Sequence, residues 1–346
     1  MGWSVCRLLV FSLLSLRYPP LAFLHNSIFY HLSRLLSSPF KKPASTPHTL
    51  IDKKRRMLVI LVGRPNDSSW MQDVIDPASA LLEETRLEGD ACDAWTEKQG
   101  DARRGDFVAM TAGLSYGGGQ EHPAILKADK ACQVPYVGRL LRSKPFRRMA
   151  GFSNSAFHTY APKMHRYYAT ELEALYKHDP ACKPPFPNCV WPACTFNIGP
   201  RCCSRGHCDS QNIPQGWCAV WALGDYDPRS GGHLVLEEFN LVIEFPPGSL
   251  ILIPSSTIRH GNTPVREHEH RYSFTQYCAG GLMRWIHHGF VPEWSLTDST
   301  RKEAYGKKGE RWTEALGMYS VLEELTDDHR GCCGVRKDEV SEEGGE

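Results

Sequence analysis

Six short apolar segments between residues 190 and 277 constrain the fold more than any other feature of the sequence. Each is rich in β-branched or aromatic residues and is bounded by Gly, Pro, Asn or Asp, a pattern typical of strands separated by turns. The predicted strands are 190–197, 217–223, 233–237, 241–245, 250–253 and 272–277. Several short strands at such spacing indicate a sandwich or a barrel.

Helical patterns on either side of these strands predict an α+β chain. Apolar residues at helical spacing predict helices over 76–87, 167–177 and about 300–318, and the run 57–63 predicts a buried strand. The chain is therefore predicted to contain five regions. These are a hydrophobic leader and basic linker without fixed structure (1–56), an N-terminal α/β support region (57–188), a strand-rich core (189–290), a C-terminal helical segment (291–325) and an acidic tail (326–346).

The two ends of the chain carry opposite charges, whereas its body is neutral. Residues 1–56 contain nine Lys or Arg against one acid, and 323–346 contain nine acids against three bases. A neutral body gives no overall sign of a nucleic-acid partner.

The N-terminal 56 residues hold two competing targeting patterns. The apolar run 8–16 resembles part of a signal peptide, but Arg17 ends it before the length that a membrane span requires, so no membrane association is predicted. Lys41-Lys42 and the cluster 53–56 resemble a two-part nuclear import signal. A nuclear or cytoplasmic protein is predicted, with a secretory route as the alternative.

The chain has 13 cysteines, six of them within 182–208. Their spacing is irregular, the total is odd and no Cys-x-x-Cys occurs, so a disulfide framework is not indicated. We interpret them as reduced thiols, with a structural zinc site as the alternative.

The spacing of three side chains predicts a metal site. His207 and Asp209 are two residues apart, so on an extended chain both side chains lie on the same side. His260 follows the predicted strand 250–253. Two histidines and one carboxylate on one face form the ligand set that holds non-haem Fe(II) and leaves positions open for a chelating keto acid and O2.

The predicted strand around Arg271 has the composition of a cavity wall. Alternation places Arg271, Ser273 and Tyr277 on one face and aromatic residues on the other. An arginine can hold a carboxylate through two parallel hydrogen bonds, and Ser273 can add a third. This face is therefore predicted to bind an anion; an exposed arginine paired with a glutamate is the alternative.

Together these motifs resemble the 2-oxoglutarate oxygenases over residues 195–280. The matching residues are His207-x-Asp209, Gly231-Gly232-His233-Leu234, the stretch 247–254, the stretch 260–265 and Arg271. The resemblance implies a double-stranded β-helix core (a jelly roll, cupin-like) with flanking helices. It also implies Fe(II), with 2-oxoglutarate and O2 as co-substrates. Arg271 and Ser273 would bind 2-oxoglutarate, and Asn197 falls where related enzymes place a polar group near it.

Within that superfamily the chain looks like the TET and J-binding-protein branch, which oxidises methyl groups of bases in nucleic acid. Asn212, five residues after His207, matches the asparagine of that branch that contacts the base. Ala279 stands where the branch has a base-contacting histidine. The resemblance thus implies a dioxygenase acting on 5-methylcytosine or a related base. The alternatives are an oxygenase of the same fold acting on a protein side chain or small molecule, and a non-catalytic cupin-like binding module.

Overall fold

Helices and antiparallel sheets make up the structure, a computed structural model that describes residues 9–11, 47–96, 104–306 and 308–333. The strands are β1 (Leu9–Phe11), β2 (His48–Ile51), β3 (Met57–Gly63), β4 (Val108–Ser115), β5 (Ala124–Ile125), β6 (Ala193–Ile198), β7 (Cys218–Asp225), β8 (Leu234–Leu236), β9 (Leu241–Ile243), β10 (Leu250–Ile253), β11 (His260–Asn262) and β12 (His270–Tyr277). The α-helices are α1 (Asp76–Ala91), α2 (Val134–Arg142), α3 (Lys144–Tyr160), α4 (Pro162–His178), α5 (Gly280–His287), α6 (Asp298–Gly306), α7 (Lys308–Gly317) and α8 (Leu325–Cys333). The predicted mixture of helices and strands is confirmed.

The strands of the described residues form a large and a small antiparallel sheet. The large sheet has the order β1-β2-β3-β10-β7-β12-β6-β4-β5, and the small sheet has the order β11-β8-β9. Strands of the predicted support region flank those of the predicted core in the large sheet, because β3 pairs with β10 at one side and β4 pairs with β6 at the other.

Side-chain alternation in the large sheet separates two apolar layers. Trp221 and Phe274 lie on one face and are buried in a cluster with residues of α1, α3 and α4. Ala222 and Ile251 lie on the other face and are buried with Leu234 of the small sheet. The helices, the large sheet and the small sheet are therefore stacked as three layers. Two sheets facing each other agree with the predicted sandwich, and the winding of a double-stranded β-helix remains an interpretation.

Several elements differ from the sequence prediction. All six predicted strands form, but the helix expected over 300–318 is two helices, α6 and α7. The strands β1, β2, β4, β5 and β11 and the helices α2, α3, α5 and α8 were not predicted, and α8 occupies the start of the predicted acidic tail. Within the described residues no helix is long and apolar enough to span a bilayer.

Part of the predicted leader and linker has regular structure. β1 pairs with β2, and Leu50 and Ile51 of β2 are buried. The second basic cluster forms the turn between β2 and β3, where Arg56 pairs with Asp52 and Arg55 with Glu323. The first cluster, Lys41-Lys42, and the end of the acidic tail lie outside the described residues, so the import signal remains a prediction.

The contact between Trp221 and Ser153 offers a test of the layer between sheet and helices. The indole N–H of Trp221 donates to the Ser153 hydroxyl of α3 at 2.8 Å, and both residues are buried. Ser153→Ala should lower the free energy of unfolding by roughly 1–3 kcal/mol, because the indole N–H loses its partner. Trp221→Phe should cost about as much through the lost volume. Urea unfolding of both single variants and the double variant measures this, and additive effects would show that the hydrogen bond contributes nothing.

Candidate metal centre

Two reciprocal backbone hydrogen bonds bring two of the predicted ligands, His207 and His260, together. The backbone N–H of His207 donates to the carbonyl of His260 at 3.0 Å, and the reverse bond measures 2.9 Å. Gly261 permits this approach, since a Cβ there would lie 2.7 Å from the carbonyl oxygen of Ser204. The chain before His207 thereby runs beside β11.

The ligand atoms of His207, Asp209 and His260 all lie within 4.8 Å of one another. The Nε2 atoms of His207 and His260 are 3.6 and 4.0 Å from the two carboxylate oxygens of Asp209. In the described part of the chain, no other group of three His, Cys, Asp or Glu residues converges in this way. The cysteines of 182–208 therefore form no such zinc site.

Both histidines have one ring nitrogen fixed by the backbone. Nδ1 of His207 lies 2.8 Å from the carbonyl oxygen of Arg205, and Nδ1 of His260 lies 2.9 Å from that of Ile258. Each Nδ1–H can donate to its carbonyl, which leaves the Nε2 lone pair for a metal. Burial, helped by nearby His260, lowers the pKa of His207 to about 4, so its ring is neutral at pH 7.

The backbone of Asp209 forms two hydrogen bonds, whereas Oδ1 of its carboxylate accepts no hydrogen bond of good geometry. Its N–H donates to the carbonyl of Ser255 at 2.9 Å, and its own carbonyl accepts the N–H of Asn212 at 2.9 Å. Oδ1 is buried and accepts no aligned hydrogen bond from the described residues. Nη2 of Arg104 nevertheless lies 2.6 Å from it. Two imidazole rings and a carboxylate on one side of the chain suit a divalent cation such as Fe(II).

Arg271 is a buried cation beside this cluster. Its side chain donates from Nη1 to the carbonyl of Cys202 at 3.0 Å, and that carbonyl also accepts the side-chain amide of Asn262 at 3.1 Å. Asn262 lies two residues after His260 on β11. The shared carbonyl therefore places the Arg271 guanidinium next to the strand of a candidate metal ligand.

No carboxylate among the described residues forms an ion pair with Arg271, which is only 4% exposed. Its Nε is buried without a hydrogen-bond partner. Burying an unpaired charge costs several kcal/mol. The arrangement therefore favours an anion as a further partner of the Arg271 guanidinium.

Ser273 and Asn197 lie beside Arg271 and are joined to each other. They are opposite each other on β12 and β6, and the Asn197 amide donates to the Ser273 hydroxyl at 2.8 Å. The hydroxyl proton of Ser273 is thus left to donate to another acceptor. This fits a second donor to the anion, with Asn197 orienting it.

Two residues at the site were not assigned a role from the sequence. Tyr277 lies on the same face of β12 as Arg271, and burial raises its pKa to about 12, with the Asp209 charge among the smaller contributions. The alternation of β12 already placed Tyr277 on this face. No sequence pattern indicated a role for Arg104, because only the tertiary fold brings it close to Asp209.

Asn212 lies three residues after Asp209 and its amide is partly engaged. Nδ2 is 3.2 Å from the Ser255 hydroxyl and 3.3 Å from the Cys218 sulfur. Its backbone forms a bridge with Ala279, the position that lacks the histidine. Nδ2 therefore holds the turn, and Oδ1 has no hydrogen-bond donor among the described residues.

Comparisons with solved structures find low similarity. NgTET1 in complex with 5mC DNA is 13% identical with a TM-score of 0.47, over 76% of this chain and 85% of that one. A Pseudomonas putida prolyl-4-hydroxylase is 16% identical with a TM-score of 0.28, over 58% and 85%. An oxidoreductase of the 2OG-Fe(II) oxygenase family from Burkholderia pseudomallei is 18% identical with a TM-score of 0.29, over 58% and 88%. No protein-family model and no curated protein sequence matches the chain. TM-scores below 0.5 do not establish a shared activity, so function has to be argued from the site.

Removing one ligand should abolish metal binding without unfolding the protein. His207→Ala and Asp209→Ala should each weaken anaerobic Mn(II) or Co(II) binding more than about 100-fold, since even residues that only orient ligands are worth 10–100-fold. Calorimetry measures the binding and circular dichroism the fold. His268→Ala, which changes an exposed histidine outside the cluster, is the matched control. A wild-type protein that binds none of Fe(II), Mn(II) and Co(II) would show that this is not a metal centre.

Proposed function

We propose that the chain is an Fe(II)- and 2-oxoglutarate-dependent dioxygenase. The observation that carries the proposal is a buried Arg271 without a carboxylate partner beside a convergent His207, Asp209 and His260. A metal site alone would fit many chemistries. A metal site next to a fixed cation fits a ligand that chelates a metal at one end and carries a carboxylate at the other, and 2-oxoglutarate is such a ligand.

In this proposal, side chains of the protein bind and orient the metal and the co-substrate. His207, Asp209 and His260 would hold Fe(II), while Arg271 and Ser273 would hold the far carboxylate of 2-oxoglutarate and Asn197 would orient Ser273. When bound, the iron would allow O2 to act as the oxidant, with one oxygen atom entering succinate as 2-oxoglutarate loses CO2 and the other serving to oxidise a substrate C–H bond. The apolar layer between the sheets limits water behind these side chains.

For the substrate we propose a methylated base in nucleic acid, such as 5-methylcytosine. Asn212 supports this, because its Nδ2 is engaged by Ser255 and its Oδ1 can accept a hydrogen bond from the exocyclic amine of cytosine. A base in a duplex would have to be flipped out, which costs roughly a few kcal/mol.

A second candidate is the same reaction on a protein side chain or a small molecule. Ala279, next to Asn212, can make no hydrogen bond to a base through its side chain. The neutral charge of the body favours this candidate as well.

Succinate release tests the proposal directly. Purified protein with Fe(II) and 2-oxoglutarate should release succinate above the level of Asp209→Ala, and a panel of methylated DNA, methylated RNA and peptides should show which class stimulates release. Metal and 2-oxoglutarate binding without succinate release under any condition would instead indicate a non-catalytic binding module.

Loss of the buried cation should weaken co-substrate binding. Arg271→Ala should weaken 2-oxoglutarate binding by roughly 2–5 kcal/mol, the range for removing one partner of a buried, hydrogen-bonded charge pair. Arg271→Lys should recover only part of this, because lysine cannot bind a carboxylate in two places. Calorimetry with Mn(II)-loaded protein measures it, and an unchanged affinity in Arg271→Ala would place the anion site elsewhere.

Asn212 separates the two substrate classes. If its Oδ1 contacts a cytosine, Asn212→Ala should reduce 5-methylcytosine oxidation ten- to a hundredfold, which corresponds to roughly 1–3 kcal/mol. Metal and 2-oxoglutarate binding should persist, as should succinate release without substrate.

Ser255→Ala is the matched control for Asn212, since it removes the hydroxyl partner of Nδ2 and leaves Oδ1 in place. An equal loss in both variants would indicate a structural role. A wild-type enzyme that oxidises a peptide or metabolite and no base would support the second candidate.

A further inference from the structure

Arg104 places a positive charge on the candidate metal ligand Asp209. Nη2 of Arg104 is 2.6 Å from Oδ1, and the side chains are 47% and 15% exposed, respectively. The described residues place no other Lys or Arg within ion-pair distance of Asp209. The contact therefore places a positive charge against a partly buried carboxylate that otherwise faces two imidazole rings.

Three contacts hold residues 104–106 against residues 203–205. The carbonyl of Arg104 accepts the N–H of Arg205 at 2.6 Å, and Asp106 pairs with the Arg205 side chain at 3.2 Å. Between them, a Cβ on Gly105 would lie 2.3 Å from the carbonyl oxygen of Cys203. The segment 104–106 is thus held against the chain that leads to His207, and Arg104 is delivered to the site by the fold.

The side-chain contact has the character of an ion pair and not of an orienting hydrogen bond. Oδ1 accepts no aligned hydrogen bond although the guanidinium is close to it. An arginine that oriented the ligand would be expected to show good alignment and deep burial. Arg104 has neither, so its charge is its main contribution, and its half-exposed side chain can move away.

We infer that Arg104 is a built-in counter-cation, which occupies the place of the metal's charge in the metal-free site and competes with a divalent metal for Asp209. This inference rests on the proposed metal site. Without a metal, the guanidinium of Arg104 is the positive charge paired with the Asp209 carboxylate. When a divalent cation binds the same carboxylate, the two positive charges repel each other. At about 5 Å and with the dielectric constant of water, this repulsion corresponds to roughly tenfold in affinity.

The test is anaerobic Mn(II) binding by calorimetry. Arg104→Gln and Arg104→Ala should bind Mn(II) roughly tenfold more tightly than the wild type, and Arg104→Lys should stay within about threefold of it because the charge remains. Added salt should narrow the difference between wild type and Arg104→Gln, because it screens the repulsion. The matched control is Arg330→Gln, an exposed arginine that pairs with Asp327 and does not contact Asp209.

Thermal unfolding supplies a second measurement. Without metal, Arg104→Gln should have a lower Tm than the wild type, because Asp209 is left uncompensated. With saturating Mn(II) the difference should vanish or reverse, since the metal then supplies the compensation. Because Arg104→Gln and Arg104→Ala both remove the positive charge, the direction of the change in Mn(II) affinity can still be measured if one of these variants folds poorly.

The outcomes separate this inference from the proposed function. A wild type that binds no divalent metal would overturn the metal site itself. If the wild type binds Mn(II) but Arg104→Gln binds it equally well or more weakly, Arg104 is not a competitor; a weaker affinity would make it a residue that orients Asp209.

Discussion

The reciprocal backbone hydrogen bonds between His207 and His260 are the interaction on which the candidate site depends. They join a chain segment without regular structure to the small sheet and set two imidazole rings with centroids 4.5 Å apart. Asp209 is two residues after His207, so on an extended chain its side chain lies on the same side as the His207 ring. Because Gly261 has no side chain, the two backbones can approach closely enough to form these bonds. A substitution there would disturb three ligands at once, although none of them would be changed chemically.

The charges around the His207–His260 backbone pair indicate which combination of ligands the site would favour. Arg104 and Arg271 are positive, Asp209 is negative, and the neutral His207 ring adds no charge. A divalent metal alone would raise an already positive local charge, whereas a metal together with a dianion would leave the net charge unchanged. Metal and a dicarboxylate co-substrate should therefore bind cooperatively, because each reduces the electrostatic cost of the other.

Sequence patterns predicted those parts of the fold that depend on local periodicity. β10 forms over the residues expected, and α1 begins at Asp76 as predicted, because apolar alternation and helical spacing are local properties. β11 has the sequence His-Gly-Asn and little intrinsic strand preference, so it forms through its pairing with β8 and His207. β4 contains small residues and a glycine, and its neighbour β6 determines it. The convergence of His207, Asp209 and His260 followed from spacing. The ion pair of Arg104 did not, because it joins segments about a hundred residues apart.

β12 shows how one strand serves stability and chemistry together. Phe274 points into the layer shared with the helices, whereas Arg271 and Ser273 point into the layer shared with the small sheet. Since successive side chains lie on opposite faces, a change on the helix side alters the free energy of unfolding while leaving the polar row in register. A shift of one residue in the pairing of β12 with β7 would exchange the two sets and bury the aromatic residues where an anion is expected to bind. The seven paired positions between these strands hold that register, and so the same hydrogen-bond ladder that stabilises the sheet also fixes the position of the buried arginine.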